Sequence, residues 1–142
     1  MYSELSNKCI LLLEKLIQIP SFSREEENTA KEIKRFLEDS GVKNIYSDHN
    51  NVWCFNEFYD SSKPTILLNS HHETVKPNSG YTLDPFQPIK EDGKLYGLGS
   101  NDAGGPLVSL IGTFLHFYSK PNLAFNLCLA CTAEEEISGP KG

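Results

Sequence analysis

No stretch of this sequence approaches the roughly 20 consecutive apolar residues that a membrane-spanning helix needs. The start, Met1-Tyr2-Ser3-Glu4, has neither the charged nor the apolar region of a signal peptide. Basic residues are scarce, 13 against 19 acidic ones, and they are scattered singly. A net charge of −6 without a basic stripe offers a phosphate backbone no counterion-releasing contacts. Neither nucleic acid nor a membrane is therefore the expected partner. The glycines of Gly97-Leu98-Gly99 and Gly104-Gly105 lack the Gly-x-Gly-x-x-Gly or Gly-Lys-Ser/Thr pattern of a phosphate loop, and read as close packing at a tight turn. There is no second Cys-x-x-Cys to join Cys128 and Cys131 in a zinc site. Those two lie in the alternating run Ala124 to Cys131, where residues three apart on a strand face opposite ways. The four cysteines are accordingly read as small buried apolar groups of a reduced, cytoplasmic protein. Internal repeats and low-complexity tracts are also absent.

What is present suits one soluble domain with a real core: 142 residues, 39% hydrophobic and 23% charged. Leu5, Cys9, Leu12, Leu13 and Leu16 repeat at helical spacing, and Pro20 closes that helix. Ser23 and Glu26 read as a capping box opening a second helix, with Ala30, Ile33 and Leu37 as its apolar stripe and Gly41 as its stop. Val52 to Phe55 and Thr65 to Asn69 read as strands, the second a nearly continuous apolar run of the kind buried on both faces. Asp60 to Pro64 is a turn between them. Lys90 to Tyr96 reads as a hairpin, Leu107, Leu110, Ile111, Phe114 and Tyr118 as a third helix with Pro106 in its first turn, and Phe125 to Cys131 as a last strand. Strand, crossover helix and strand imply an α/β fold with a largely parallel sheet and helices on both faces. His49 is expected in an exposed turn, and His116 as a partly buried aromatic on the third helix.

In such sheets the ligand site lies beyond the carboxyl ends of the strands, where His71 and the run Glu134-Glu135-Glu136 fall. If Ser70 to Glu73 extends its strand, His71 and Glu73 share a face and His72 points away. His71 is then a candidate metal ligand. Glu73 is placed to hold its free ring nitrogen, fixing the tautomer and raising basicity. Asp102 and Glu136 add the carboxylate oxygens that zinc accepts. Glu135 is free to act as a base, taking a proton from metal-bound water, whose pKa falls to about 7, and giving it to a leaving amine. A lone strand histidine or a Glu-Glu-Glu loop is ordinarily structural, but with Asp102 they point together to a metal-dependent hydrolase. The competing reading is a non-catalytic remnant or binding module with weak or no metal binding.

The runs Leu67-Leu68-Asn69-Ser70-His71-His72-Glu73-Thr74-Val75-Lys76-Pro77, Asp84-Pro85-Phe86, Gly93 to Gly99 with Asp102, and Thr132-Ala133-Glu134-Glu135-Glu136 resemble a known family. It comprises the dinuclear zinc amidohydrolases that include acetylornithine deacetylase, succinyl-diaminopimelate desuccinylase, aminoacylase and the glutamate carboxypeptidases. The acetylornithine deacetylase branch is the nearest likeness. The resemblance implies a three-layer α/β/α zinc-peptidase-like catalytic domain, of which residues 1–142 form the N-terminal portion, without the lid domain through which the family often dimerises. It implies two zinc ions per complete site, with cobalt as a substitute. His71 would bind one, Asp102 bridge both, Glu136 bind the second and Glu135 serve as general base, with Glu134 matching the acidic residue before that pair. The implied reaction is hydrolysis of the amide of a small N-acyl amino acid, N-acetylornithine or N-succinylornithine of arginine biosynthesis.

Two departures from the family carry consequences. A further acidic ligand and a final histidine come from later in the family's chains, so the site is expected to be incomplete here and the last strand to leave sheet edge and apolar surface open. The family's His-x-Asp is His71-His72-Glu73 in this sequence. The extra methylene is expected to misplace the carboxylate, so that Glu73→Asp would raise turnover in a completed enzyme.

Overall fold

The computed structural model describes residues 3–142; Met1 and Tyr2, the start of the segment read as lacking a leader, lie outside the described residues. Helix α1 spans Glu4–Gln18 and buries Cys9, Leu12, Leu13, Leu16 and Ile17. The Ser3 hydroxyl accepts a 3.1 Å hydrogen bond from the Ser6 amide, satisfying one of the amides that a helix start leaves without a partner. Helix α2 spans Glu27–Asp39 and buries Ile33 and Leu37 on the expected stripe. Gly41, at φ 86°, ends it: its amide bonds to Glu38 O at 2.9 Å and the Val42 amide to Leu37 O at 3.0 Å, the paired bonds of a left-handed helix stop. The expected Ser23–Glu26 capping box does not form. Glu26 turns inward, where its carboxylate accepts from the Arg24 amide, the Asn50 side chain and the Glu134 amide.

Strands β1 (Tyr46–Asp48), β2 (Asn51–Phe55), β3 (Thr65–His71) and β6 (Asn126–Thr132) form one sheet in the order β1-β2-β6-β3. β3 and β6 run parallel, in register from Thr65↔Asn126 to His71↔Thr132. β2 pairs antiparallel with both β6 and β1, so the sheet is mixed where a largely parallel one was expected. The short β1 escaped the sequence because all three of its residues are exposed and show no alternation. β4 (Ile89–Glu91) and β5 (Lys94–Tyr96) make the expected hairpin as a separate ribbon. Asp92 and Gly93, both at positive φ, form its two-residue turn. Helix α3 (Gly105–Phe117) crosses from β3 towards β6 and buries Leu107, Val108, Ile111 and Phe114.

Paired residues in a sheet share a face, so Val52, Cys54, Leu127, Leu129 and Cys131 lie together and meet Leu12, Ile33, Leu37, Ile111 and Phe114 of the three helices. Within the described residues the helices supply one outer layer of the α/β stack. The opposite face carries Trp53, Phe55, Leu67 and Cys128, with Leu67 60% exposed. The last strand, β6, is paired on both sides, so the open edge expected of it falls on β3, which stands last in the strand order and is not buried on both faces; among the described residues nothing covers Ile66 and Leu67 there. All four cysteines are free, with Cys131 in the core and Cys128 on the other face, as the alternation required. Burial pushes the Cys54 thiol up to about 12 and raises that of Cys131 as well, in each case aided by a neighbouring thiol. Among the described residues no helix is long and apolar enough to cross a membrane. His49 sits in an exposed turn between β1 and β2, at φ 50°. His116 is exposed on α3, not partly buried, with Nε2 2.7 Å from Lys120 Nζ.

Candidate metal centre

Because β3 and β6 are parallel neighbours in register, their carboxyl ends deliver His71 and the segment after Thr132 to the same place. The His72 amide bonds to Thr132 O at 3.1 Å and carries the ladder one residue further. The chain after α1 runs beside β3's end: the Ser21 hydroxyl donates to His72 O at 3.0 Å, and the Thr74 amide to Ser21 O at 2.8 Å. This strap holds the three residues His71 to Glu73 in line. Asp102 arrives from the turn Ser100–Gly104 that leads into α3. The turn depends on Gly99, whose φ of 73° suits glycine and where a Cβ would lie 2.5 Å from Thr74 Cγ2. Close packing holds at Gly97 and Gly104 too, where a Cβ would lie 2.5 Å from Ile17 Cγ2 and from Leu13 Cδ1.

Four of the five candidate side chains from the sequence meet around the fifth, the His71 ring. His71 Nε2 lies 3.1 Å from Asp102 Oδ1 and 3.7 Å from Glu135 Oε2. His71, Asp102 and Glu136 offer three ligand atoms within 4.8 Å of one another, and His71, Glu73 and Glu135 a second such group. Asp102 and Glu135 are mostly exposed, whereas His71 and Glu73 are buried. Burial, and then the Asp102 carboxylate, push the Glu136 carboxyl up; His71 opposes them, and Glu135 and Glu73 add smaller upward pushes. That crowding of negative charge around one imidazole is what a divalent cation relieves.

The residues therefore fit a metal by their own chemistry. Nitrogen and carboxylate donors match zinc's preferences, and two ligands of one zinc, each bonded at about 2.0–2.2 Å, stand a little over 3 Å apart in a tetrahedral arrangement. The His71 Nε2 to Asp102 spacing meets that measure. Two buried atoms of the cluster, His71 Nδ1 and Glu73 Oε2, have no hydrogen-bond partner among the described residues, a polar surplus consistent with an ion site.

Glu73 does not do what the sequence suggested. Its Oε1 stands 4.0 Å from His71 Nδ1, which makes no hydrogen bond among the described residues. The oxygen accepts instead from the backbone amides of Glu135, at short range, and Glu136, at 3.2 Å. The length of the glutamate side chain lets the carboxylate reach past the ring to the loop that carries two of the candidate site residues. On the other side of β3, the His72 ring lies between Thr29 Oγ1, 2.9 Å from Nδ1, and the Asn50 carbonyl, 2.9 Å from Nε2, which donates to it. Burial pulls its pKa down to about 4, only partly offset by the Asn50 carbonyl and the Glu26 carboxylate, so the ring is neutral at pH 7.

Sequence reasoning missed Glu26. Burial raises its carboxyl's pKa, but hydrogen bonds from the amides of Arg24 and Glu26 itself, the Asn50 side chain and the Glu134 amide outweigh that and hold it below the usual range. Its acidic type within a capping-box spacing disguised it, and only its distance in sequence from Glu134 conceals the contact.

Comparison with known proteins fits this geometry. A model of peptidase family M20/M25/M40 matches residues 67–142, from the second residue of β3's apolar run through the last acidic cluster. Succinyl-diaminopimelate desuccinylase of Blochmanniella floridana is 29% identical over 143 aligned positions, covering 96% of this chain and 37% of that protein. Among solved structures, the M20 family metallo-carboxypeptidase Sso-CP2 of Sulfolobus solfataricus superposes with a TM-score of 0.76 at 26% identity, covering 96% of this chain and 32% of the other. The di-peptidase Dug1p of Saccharomyces cerevisiae gives 0.74 at 25%, covering 93% and 33%. The chain thus spans a little over a third of the length of the curated relative. A family match over more than half of the sequence, and over every residue of the candidate centre, establishes that the chain belongs to peptidase family M20/M25/M40.

Proposed function

We propose that residues 1–142 form the N-terminal portion of the catalytic domain of a metal-dependent amidohydrolase that cleaves the amide bond of a small N-acyl amino acid. The observation that carries this reading is the convergence of His71, Asp102 and Glu136 on one point, with the free carboxylate of Glu135 beside them. His71, Asp102 and Glu136 would hold the metal, which we take to be zinc, with cobalt as a substitute and two ions in a complete site. The ion would act as a Lewis acid on the substrate carbonyl and lower the pKa of water. Glu135 Oε2, on a mostly exposed side chain 3.7 Å from His71 Nε2, takes a proton from water and passes it to the leaving nitrogen. Glu73 holds the amides of Glu135 and Glu136 and so orients both side chains.

The desuccinylase named among the relatives supports an N-succinyl substrate, and N-succinylornithine and N-acetylornithine belong to the same class. The four free thiols support a reducing, cytoplasmic setting. Cobalt titration of the chain tests the reading, followed by the visible spectrum and by calorimetry. We expect one or more bound ions, with affinity lowered at least about tenfold by His71→Ala or Asp102→Ala because each removes a ligand. Binding that ignores both substitutions, or no binding, would overturn the site, the latter in favour of a scaffold without metal. In the cobalt-loaded protein, a spectral shift on adding N-succinyl but not N-acetyl amino acids would decide the acyl group.

A further inference from the structure

We propose that Glu26 is a positioning residue for Glu135 and Glu136: its buried carboxylate grips the Glu134 amide and fixes the left-handed turn from which those two side chains are presented. The inference rests on their roles as base and ligand given above. Glu26 is fully buried, at the start of α2, far in sequence from the loop it touches. Oε1 accepts from the Arg24 amide at 2.7 Å and the Glu134 amide at 3.3 Å, while Oε2 accepts from Asn50 Nδ2 at 2.8 Å. Asn50 is itself tied to β3 through its carbonyl, which accepts from His72. Glu26 thus links three pieces of chain that flank the centre but share no regular secondary structure.

The loop needs such a hold. Glu134 has φ 54°, a conformation that disfavours residues with a Cβ and persists only where the surroundings enforce it. Turning at this residue sends the next two amides, those of Glu135 and Glu136, towards the single oxygen Glu73 Oε1. Three successive amides are therefore held by two buried carboxylates, Glu26 from one side and Glu73 from the other. A carboxylate accepts such bonds more strongly than a neutral group, and a buried amide stripped of its acceptor is costly. Beyond the turn, the Ser138 and Gly139 amides close back on Glu135 O and Glu134 O at 2.9 and 2.8 Å, so the position of residue 134 is passed along the whole segment.

The test is hydrogen exchange on the metal-free chain, resolved by residue, with Glu26→Gln, which keeps the volume and removes the charge and one acceptor. Exchange at the Glu134, Glu135 and Glu136 amides should rise at least about tenfold, with the amides of β6 and α3 unchanged. Cobalt affinity should fall about 10- to 100-fold. Glu134→Gly supplies the discriminating background: glycine adopts the turn unaided, so there Glu26→Gln should change exchange at residues 135 and 136 by less than about threefold. Equal effects in both backgrounds, unchanged exchange at the three amides, or a uniform rise through β6 and α3 would overturn the proposal. If Glu26→Gln does not fold, Asn50→Ala carries the same test from the Oε2 side, with the same local pattern expected at roughly threefold amplitude. Wild-type chain that binds no cobalt, yet shows the exchange pattern, would sink the metal reading and leave the grip of Glu26 standing.

Discussion

Replacing Glu73 by aspartate, the residue that the family resemblance leads one to expect at this position, should weaken this protein, not improve it. The substitution withdraws the carboxylate by about one carbon–carbon bond, roughly 1.5 Å. The Glu136 amide, now 3.2 Å from Oε1, would be left about 4.5 Å away, beyond hydrogen-bond range, and the closer Glu135 amide would be stretched. Hydrogen bonds to a charged group contribute about 1.5–3 kcal/mol each, and the lost methylene of a fully buried side chain adds about 1 kcal/mol. Partial relaxation of the loop leaves a net loss of about 3–4 kcal/mol, a drop in Tm of about 10 °C for a chain of this size. Calorimetric or circular-dichroism melts of the two metal-free proteins measure it directly. A Tm that stays put or rises for Glu73→Asp would refute the account, and would return Glu73 to its first reading as a misplaced partner of the His71 ring.

Three further outcomes are expected. In metal titrations, Glu135→Gln should stay within about threefold of the wild type, while Glu136→Gln should lose at least about tenfold; the reverse order would exchange their roles as base and ligand. His72, neutral when folded with a pKa near 4 against an ordinary 6.5, binds fewer protons folded than unfolded, so its stabilising contribution is whole above about pH 6.5 and is lost as pH falls towards 4, by roughly 3 kcal/mol. Urea denaturation of the metal-free chain between pH 4.5 and 7 should show that slope, and His72→Gln should flatten it; an identical slope in the variant would assign the effect to other groups. Finally, Cys54 and Cys131, buried thiols whose pKa values are raised, should resist alkylation at pH 8 in the folded chain and react fully in urea. Rapid labelling of either in the native state would contradict the packing of β2 against β6.

The sequence was most legible where one residue pattern decides one element. Helical spacing in α1, two positive-φ residues in the β4–β5 turn and the alternation that separates Cys128 from Cys131 are local signals, and the structure follows them. The grouping of His71, Asp102, Glu135 and Glu136 was also legible, because strand ends and helix starts are local and a parallel sheet brings them to one side. Signals that depend on neighbours far along the chain were not. An apolar run such as Ile66-Leu67-Leu68 is the same whether a strand lies inside a sheet or at its edge, so the exposure of β3 could not be read. Glu26 and Glu73 were misassigned for a related reason. Each satisfies a short-range template, a capping box or a His-x-acid pair, while its actual partners, the amides of residues 134–136, stand on the last segment of the chain.

The parallel ladder between β3 and β6 also bears on how the chain folds. Its partners, such as His71 and Thr132, are 61 residues apart, whereas the β1–β2 and β4–β5 hairpins close over a few. Closing a loop of that length costs about 2 kcal/mol more in chain entropy than closing a five-residue turn. Contacts of such range form late and slow the search. Glu135 and Glu136 follow β6 and are brought to His71 only when that ladder zips. A cation therefore meets its complete donor set in the finished sheet, where it can slow unfolding, and has no preassembled site by which to speed the folding of this chain.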